Sequence, residues 1–200
     1  MFKNRNLAAK RLAQELKQSF KQADFVSAVS MNSIEAAEVL ANEYDLPVNH
    51  VVSTKLFVPG KEDLIFGAVS HDGTIWLNDS MIEEFMIDRD FIADYADRRR
   101  VELQNRMHSK GIEVDEDVRS KDVLLVADGI SSGMLTAASL GSCIKRNVGK
   151  KKVAAPFISE HGESKISGLA DEIFSIKTPR FVASVEAGYV VPEEENILKF

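Results

Sequence analysis

The chain has one cysteine, Cys143, among its 200 residues. No intrachain disulfide can form and no cysteine-based metal site can be built, so the expected setting is a reducing one, the cytoplasm. The four histidines, His50, His71, His108 and His161, never fall at ligand spacing, which argues against zinc. No apolar run approaches the roughly 20 residues that a membrane helix needs. The basic stretch Met1–Lys21 spaces Leu7, Leu12, Leu16 and Phe20 as one face of an amphipathic helix, without the continuous apolar stretch of a signal peptide. An excess of positive charge is missing too. With 25 basic against 31 acidic residues the net charge is −6, a poor footprint for nucleic acid. The densest basic run, Arg98-Arg99-Arg100, sits among Asp94, Asp97 and Glu102, and such mixed signs read as a solvated helix face.

What remains is an average folded composition, 44% hydrophobic and 28% charged, enough for one domain over residues 1–200 with a sizeable core. Phe25–Val29 is short and apolar, a buried strand broken by Ser30-Met31-Asn32-Ser33. Residues 34–41 have helical spacing with Ser33 as N-cap. Val48–Thr54 is rich in β-branched residues, and Leu64–Val69 and Thr74–Leu77 flank the hairpin signal Asp72-Gly73. Met81 to about His108 turns helical, with Phe85, Phe91, Ile92, Tyr95, Val101 and Leu103 as inward candidates. The strongest strand, Val123–Val126, is followed by a helix from Met134, a strand at Lys152–Ile158, a short helix near Ser164–Leu169 and a strand at Glu172–Ile176. Strand and helix alternating at these lengths give an α/β fold with a central, mainly parallel sheet flanked by helices.

Val123–Thr136 carries the chemistry. Four apolar residues form a strand buried on both faces, and Asp128 follows at its carboxyl end, where open α/β sheets bind ligands. Gly129 and Gly133 bracket a turn with the hydroxyls of Ser131 and Ser132, and the chain then enters a helix. A helix start offers unpaired N–H groups and partial positive charge, glycines admit a phosphate close to the backbone, and an acid alongside suits the hydroxyls of a sugar. An ordinary serine-capped strand–turn–helix connection is the plainer alternative. Neither GxxxxGK(S/T) nor GxGxxG is present, so a P-loop and a dinucleotide fold are excluded. No DxD pair lies near Asp128, which counts against a phosphatase with an aspartate nucleophile.

This segment resembles the signature of the type I phosphoribosyltransferases, which bind phosphoribosyl diphosphate (PRPP): four apolar residues, two acids, and a Gly/Thr-rich turn. Phe2, Asn4-Arg5, Ala8 and Leu12-Ala13 look like the opening helix of a bacterial and archaeal subfamily of that class. Thr54-Lys55-Leu56, Pro59-Gly60 and Gly67-Ala68-Val69 look like its RK…PG…GAV segment, and Asp117–Lys121 and Tyr189 also fall into place.

The resemblance implies a PRPP cradle for the 5′-phosphate at Gly129, Ile130, Ser131, Ser132, Gly133, Met134, Leu135 and Thr136. It implies Asp128 as the catalytic acid that holds the ribose hydroxyls and contacts Mg²⁺ through water, and Asn32, Ser33 and Lys55 as the diphosphate contacts. Residues 70–115 correspond to a hood, in which Trp76 and the 81–108 helix cover substrate or a dimer face; dimers are common for this fold. Tyr189 is a base-stacking candidate, or else an aromatic that closes the core. The chain departs from the pattern where charge matters. Ala127 replaces the first acid, Met134-Leu135 replaces a small residue and Thr, and Ser30-Met31-Asn32-Ser33 replaces Pro-Arg-Gly-Gly. Two functions follow. One is Mg²⁺-dependent transfer of phosphoribose between PRPP and a nitrogenous base, and the other is a weakened or inactive relative that senses a nucleotide or sugar phosphate.

Overall fold

In the computed structural model, residues 1–17, 22–112, 114–115 and 117–190 are described; Phe20, an apolar candidate of the first helix, lies outside them. Helix α1 (Arg5–Leu16) leads to strand β1 (Phe25–Ala28) and helix α2 (Ile34–Tyr44). Three strands follow, β2 (Ser53–Val58), β3 (Lys61–Ser70) and β4 (Ile75–Leu77), with helices α3 (Asp79–Glu84) and α4 (Arg89–Ser109). The chain ends as β5 (Val123–Val126), α5 (Met134–Lys145), β6 (Lys151–Phe157), α6 (Glu160–Ile166) and β7 (Glu172–Lys177).

The main sheet is parallel throughout, in the order β1-β5-β6-β7. Side chains alternate across a strand, so β5 feeds two cores at once. Leu124 and Val126 pack with Leu12, Ala13, Leu16, Ala37 and Leu40 of α1 and α2. Val123, Leu125 and Ala127 pack on the other face with Ala137, Leu140, Cys143 and Ile166 of α5 and α6. Burial on both faces explains why β5 reads as an unbroken apolar run. The same alternation decides the fate of the two positions beyond the strand. Ala127 continues into the α5 core, whereas Asp128 is directed towards α1.

The second sheet, β2-β3-β4, is antiparallel. Its turns are the ones expected: Gly60 and Gly73 have positive φ of 73° and 84°, and Thr74 N donates to Asp72 Oδ1 at 3.0 Å. One face buries Leu56, Val58, Phe66 and Val69 against Ile87, Ile92 and Ala96. Ala68 and Trp76 pack on Met134 and Ala138 of α5, which seats this smaller sheet beside the start of α5.

Several sequence expectations are displaced. The β-branched stretch at 48–54 is mostly loop: Val48 makes a single bridge to Val26, and regular pairing starts at Ser53. The 81–108 helix is broken at Phe85–Asp88, where Met86 adopts a left-handed φ of 48° and Asp88 starts α4 by accepting from Asp90 N and Phe91 N. An aspartate cap overrides apolar spacing there because it satisfies two N–H groups that the helix cannot. Val101, read as inward, is exposed, whereas Ile92 and Leu103 are buried. The short helix of 164–169 begins earlier, at Glu160, because Ser159 Oγ accepts from Gly162 N at 2.9 Å.

Candidate functional site

β1 and β5 are neighbours, yet their following helices leave to opposite faces, α2 with α1 and α5 with α6. The two exit loops diverge and leave a crevice beyond the carboxyl ends of the strands. A cavity of about 210 Å³ occupies it. Its walls include Ser30–Asn32 after β1, Asp128–Thr136 after β5, Ser53–Lys55 of β2, Arg99, Leu103 and Arg106 of α4, and Val185-Glu186.

The β5 turn is held rigidly. Ile130 N donates to Phe157 O at 3.0 Å, Ser159 N donates to Ile130 O at 2.9 Å, and Ser159 Oγ donates to Ser131 O at 2.5 Å. Gly133 caps α5 with a left-handed φ of 74°, and a Cβ there would lie 2.8 Å from Gly162 O. Gly129 is needed for space instead: a Cβ would come within 2.3 Å of the Phe157 ring. The first helical N–H of α5 with a backbone acceptor is Ala137 N, which donates to Gly133 O at 2.8 Å. The N–H groups of Met134, Leu135 and Thr136 therefore have no intrahelical acceptor, and no acid lies in the first turn. The result is a helix start whose first N–H groups lack backbone acceptors and which carries partial positive charge, chemistry suited to an anion.

Asp128 is only 6% exposed and fully engaged. Its Oδ2 accepts from Arg5 Nε at 2.8 Å and its Oδ1 accepts from Ser33 Oγ at 2.9 Å. Its carbonyl accepts from the Tyr189 hydroxyl. Arg5 also lies 3.7 Å from Glu186 and over the Tyr189 ring at 5.1 Å. Tyr189 itself is buried against Phe157 and Phe2 and closes the core, the plainer of its two readings. Ser33 was expected to cap α2, but it makes no cap hydrogen bond; its hydroxyl pairs with Ser30 Oγ at 2.8 Å and serves Asp128. An internal carboxylate outcompetes a helix end as its partner because hydrogen bonds to charged groups are the stronger ones.

The structure brings together Asp128, the whole 129–136 turn, Asn32 and Lys55 around one cavity, with Ser33 buried beneath it. Trp76 packs on α5 rather than lining the cavity. Sequence reasoning missed three residues. Arg99 was read as part of a solvated face, but it is half-buried: its Nη2 donates to Thr54 Oγ1 at 3.1 Å and its Nε to Lys55 O at 3.4 Å. Arg106 lies about two helical turns further along α4 and also faces the cavity. The third, Glu186, has its carboxyl held below the ordinary value: burial pushes it up, but hydrogen bonds accepted from its own backbone N–H and from Ser184, with Lys55 and Arg5 nearby, outweigh that. The spacing of 99, 103 and 106, all on one helical face, was the available signal.

A glycine-bracketed turn into the start of α5, at the carboxyl end of a parallel sheet with a small antiparallel sheet alongside, is the architecture of the type I phosphoribosyltransferase fold. Over 94% of its length the chain is 27% identical to a Mycobacterium tuberculosis protein named "Putative phosphoribosyl transferase", found in two strains. It spans 43% of that relative's length. No family model matches the sequence. The crystal structure of a Thermus thermophilus protein superposes with a TM-score of 0.72 at 24% identity, covering 94% of this chain and 89% of the other. Adenine phosphoribosyltransferase from Thermoanaerobacter pseudethanolicus gives 0.52 at 13% identity, with coverage of 87% and 80%. No helix among the described residues is long and apolar enough to cross a membrane.

Proposed function

We propose that this chain binds the phosphoribosyl group of PRPP in the β1–β5 crevice and transfers it to a nitrogenous base. The observation that carries this reading is the Gly129–Thr136 turn, whose free N–H groups face the same cavity as Lys55 and Asn32. The 5′-phosphate sits on the start of α5, where the glycines allow close approach and Thr136 and Ser132 add hydroxyls. The diphosphate lies towards Asn32 and Lys55, with the Ser33 segment beneath it. In the transfer the bond from the anomeric carbon to diphosphate breaks, with its electron pair leaving on the diphosphate. A ring nitrogen of the base forms the new bond and its proton goes to solvent. The chain's part is positional: holding both phosphates fixed and excluding water lowers the barrier by orientation and charge stabilisation.

A magnesium ion belongs to this chemistry by resemblance, but the side chains do not offer it a protein-held site. Both oxygens of Asp128 are already engaged, position 127 is a core alanine, and the described residues contain no cluster of three His, Cys, Asp or Glu suited to a metal. Any divalent ion would come with the ligand.

The engaged Asp128 also favours a second reading, a sensor that binds a nucleotide or sugar phosphate without turning it over. A Neisseria gonorrhoeae protein of this fold, 13% identical with a TM-score of 0.50, has bound ppGpp. Diphosphate release from PRPP across a panel of purine and pyrimidine bases separates the two. Turnover that is lost in Gly133→Ala supports transfer. Binding of PRPP or nucleoside monophosphates with no diphosphate release leaves the sensor, and binding of none of them overturns both.

A further inference from the structure

The segment after β7 returns to the cavity and is fastened there from the other end of the chain. Phe2 N donates to Gly188 O and Val190 N donates to Phe2 O, both at 2.8 Å, so that Phe2 and Tyr189 pair in parallel. Phe2, Phe157 and Tyr189 pack as one aromatic cluster, and the Tyr189 hydroxyl donates to Asp128 O. This clasp fixes the backbone that carries Val185 and Glu186 as part of the cavity wall.

Among the described residues two acids line the cavity, Asp128 and Glu186. Asp128 is buried, with Arg5 Nε at 2.8 Å and the Ser33 hydroxyl at 2.9 Å. Arg5 is thereby committed, and its 3.7 Å separation from Glu186 is the looser contact. The Glu186 side chain is 55% exposed and can swing. Burial pushes its carboxyl up, but its own backbone N–H, Ser184, Lys55 and Arg5 hold it below the ordinary range, so it is an anion at neutral pH. Lys55, on β2, lines the same cavity.

An ionised carboxylate on the wall of a concave space shares the field of the cations there and opposes a second anion. We infer that Glu186 is an internal counter-anion of Lys55, which a ligand whose negative charge reaches Lys55 must displace. Glu186 thereby determines specificity: it penalises a ligand with a second anionic group relative to one whose only charge sits on the α5 turn. The exchange strands no charge, because Arg5 keeps Asp128 and water receives the exposed Glu186 carboxylate. This rests on the reading proposed above, in which the 129–136 turn takes a sugar 5′-phosphate and a second anionic group lies towards Lys55.

The test is calorimetric titration of the full chain with ribose 5-phosphate and PRPP, each in EDTA and again with magnesium. Glu186→Gln keeps the size of the side chain and removes its charge at a position more than half exposed. It is expected to bind PRPP about two- to fivefold more tightly than the wild type, the size of one partly screened charge pair, and to leave ribose 5-phosphate unchanged. The gain should shrink as added salt screens the carboxylate. Glu186→Asp retains the charge and should stay near the wild type, and in a Lys55→Gln background the gain from Glu186→Gln should disappear. Glu84→Gln, on α3 and off the cavity, should change neither probe. Equal gains for both probes, a gain that persists without Lys55, or unchanged PRPP affinity would overturn the counter-anion while leaving the turn as a phosphate site. A loss of PRPP affinity confined to magnesium would make Glu186 a metal group and overturn it as well. Failure of the wild type to bind ribose 5-phosphate at all would remove the phosphate reading beneath it.

Discussion

Arg5 Nε stands 2.8 Å from Asp128 Oδ2, and both side chains are about nine-tenths buried, at 10% and 8% exposure. The pair ties the first helix to the acid that sits over the cavity, 123 residues along the chain. Breaking a buried pair from one side leaves the other charge without its counter-ion, at a typical cost of about 3–5 kcal/mol. Arg5→Leu is therefore expected to destabilise the protein by about that much in urea unfolding. Asp128→Asn should cost less, since an amide still pairs with Ser33. The double variant should lose clearly less than the sum of the two, and additive losses would mean that the pair contributes no coupling.

Ala127 occupies the position of the first acid in the phosphoribosyltransferase signature, but its side chain belongs to the apolar cluster of Leu125, Ala137, Leu140 and Ile158. Ala127→Asp, the substitution that would complete the sequence pattern, is expected to destabilise the fold by about 2–5 kcal/mol and to bind PRPP no better than the wild type. A buried carboxyl has a raised pKa, so the loss should shrink as pH falls and the new group takes up its proton. A stable Ala127→Asp variant with tighter PRPP binding would show that this backbone can turn the residue into the cavity.

The parallel sheet, the signature turn and the Asp72-Gly73 hairpin were legible because local chemistry dictates them. Four apolar residues must be buried on both faces, and glycines must occupy positions where φ is positive. The broken helix at Met86 and the displaced start of α6 were not, because an Asp88 cap and a Ser159 cap each win by satisfying N–H groups, a contribution that apolar spacing does not register. The site was legible where the 128–136 turn, Asn32 and Lys55 line it, and not where α4 does. The acid partner Arg5 and the cationic wall of Arg99 and Arg106 depend on which helix faces which sheet. Arg99 is separated from Lys55 and Thr54 by some 44 residues of chain, and nothing local in an Arg-rich stretch distinguishes a solvated guanidinium from one that borders a cavity.

His50 is buried, and its Nδ1 accepts from Ala28 N at 3.3 Å. Burial holds its pKa below the ordinary 6.5. The unfolded chain therefore takes up a proton at a higher pH than the folded one does, and stability rises with pH wherever the unfolded state binds more protons. The contribution of His50 is complete above about pH 6.5 and is lost as pH falls through the lowered folded value. Urea midpoints should drop between pH 7 and 5, above the range where the carboxylates titrate, and the slope should flatten in His50→Gln, whose amide oxygen can still accept from Ala28 N. An unchanged slope would assign the acid loss to other groups.

Gly133 is where fold and proposed function meet most directly. Its φ of 74° suits glycine, and a Cβ would lie 2.8 Å from Gly162 O and 3.3 Å from Gly162 Cα, backbone atoms that cannot swing aside. Gly133→Ala therefore combines left-handed strain with a clash, and about 1–3 kcal/mol of stability should be lost. The α5 start must shift to relieve the contact, which moves the N–H groups of Met134, Leu135 and Thr136 together. Affinity for ribose 5-phosphate should consequently fall by more than tenfold in the folded variant. At Gly60, φ is 73° but nothing lies within 4 Å, so Gly60→Ala carries the strain without the clash and away from the cavity. It should show a smaller stability loss and unchanged ribose 5-phosphate binding. Equal effects of the two substitutions on binding would mean that the turn at Gly133 is a structural connection and that the anion cradle lies elsewhere.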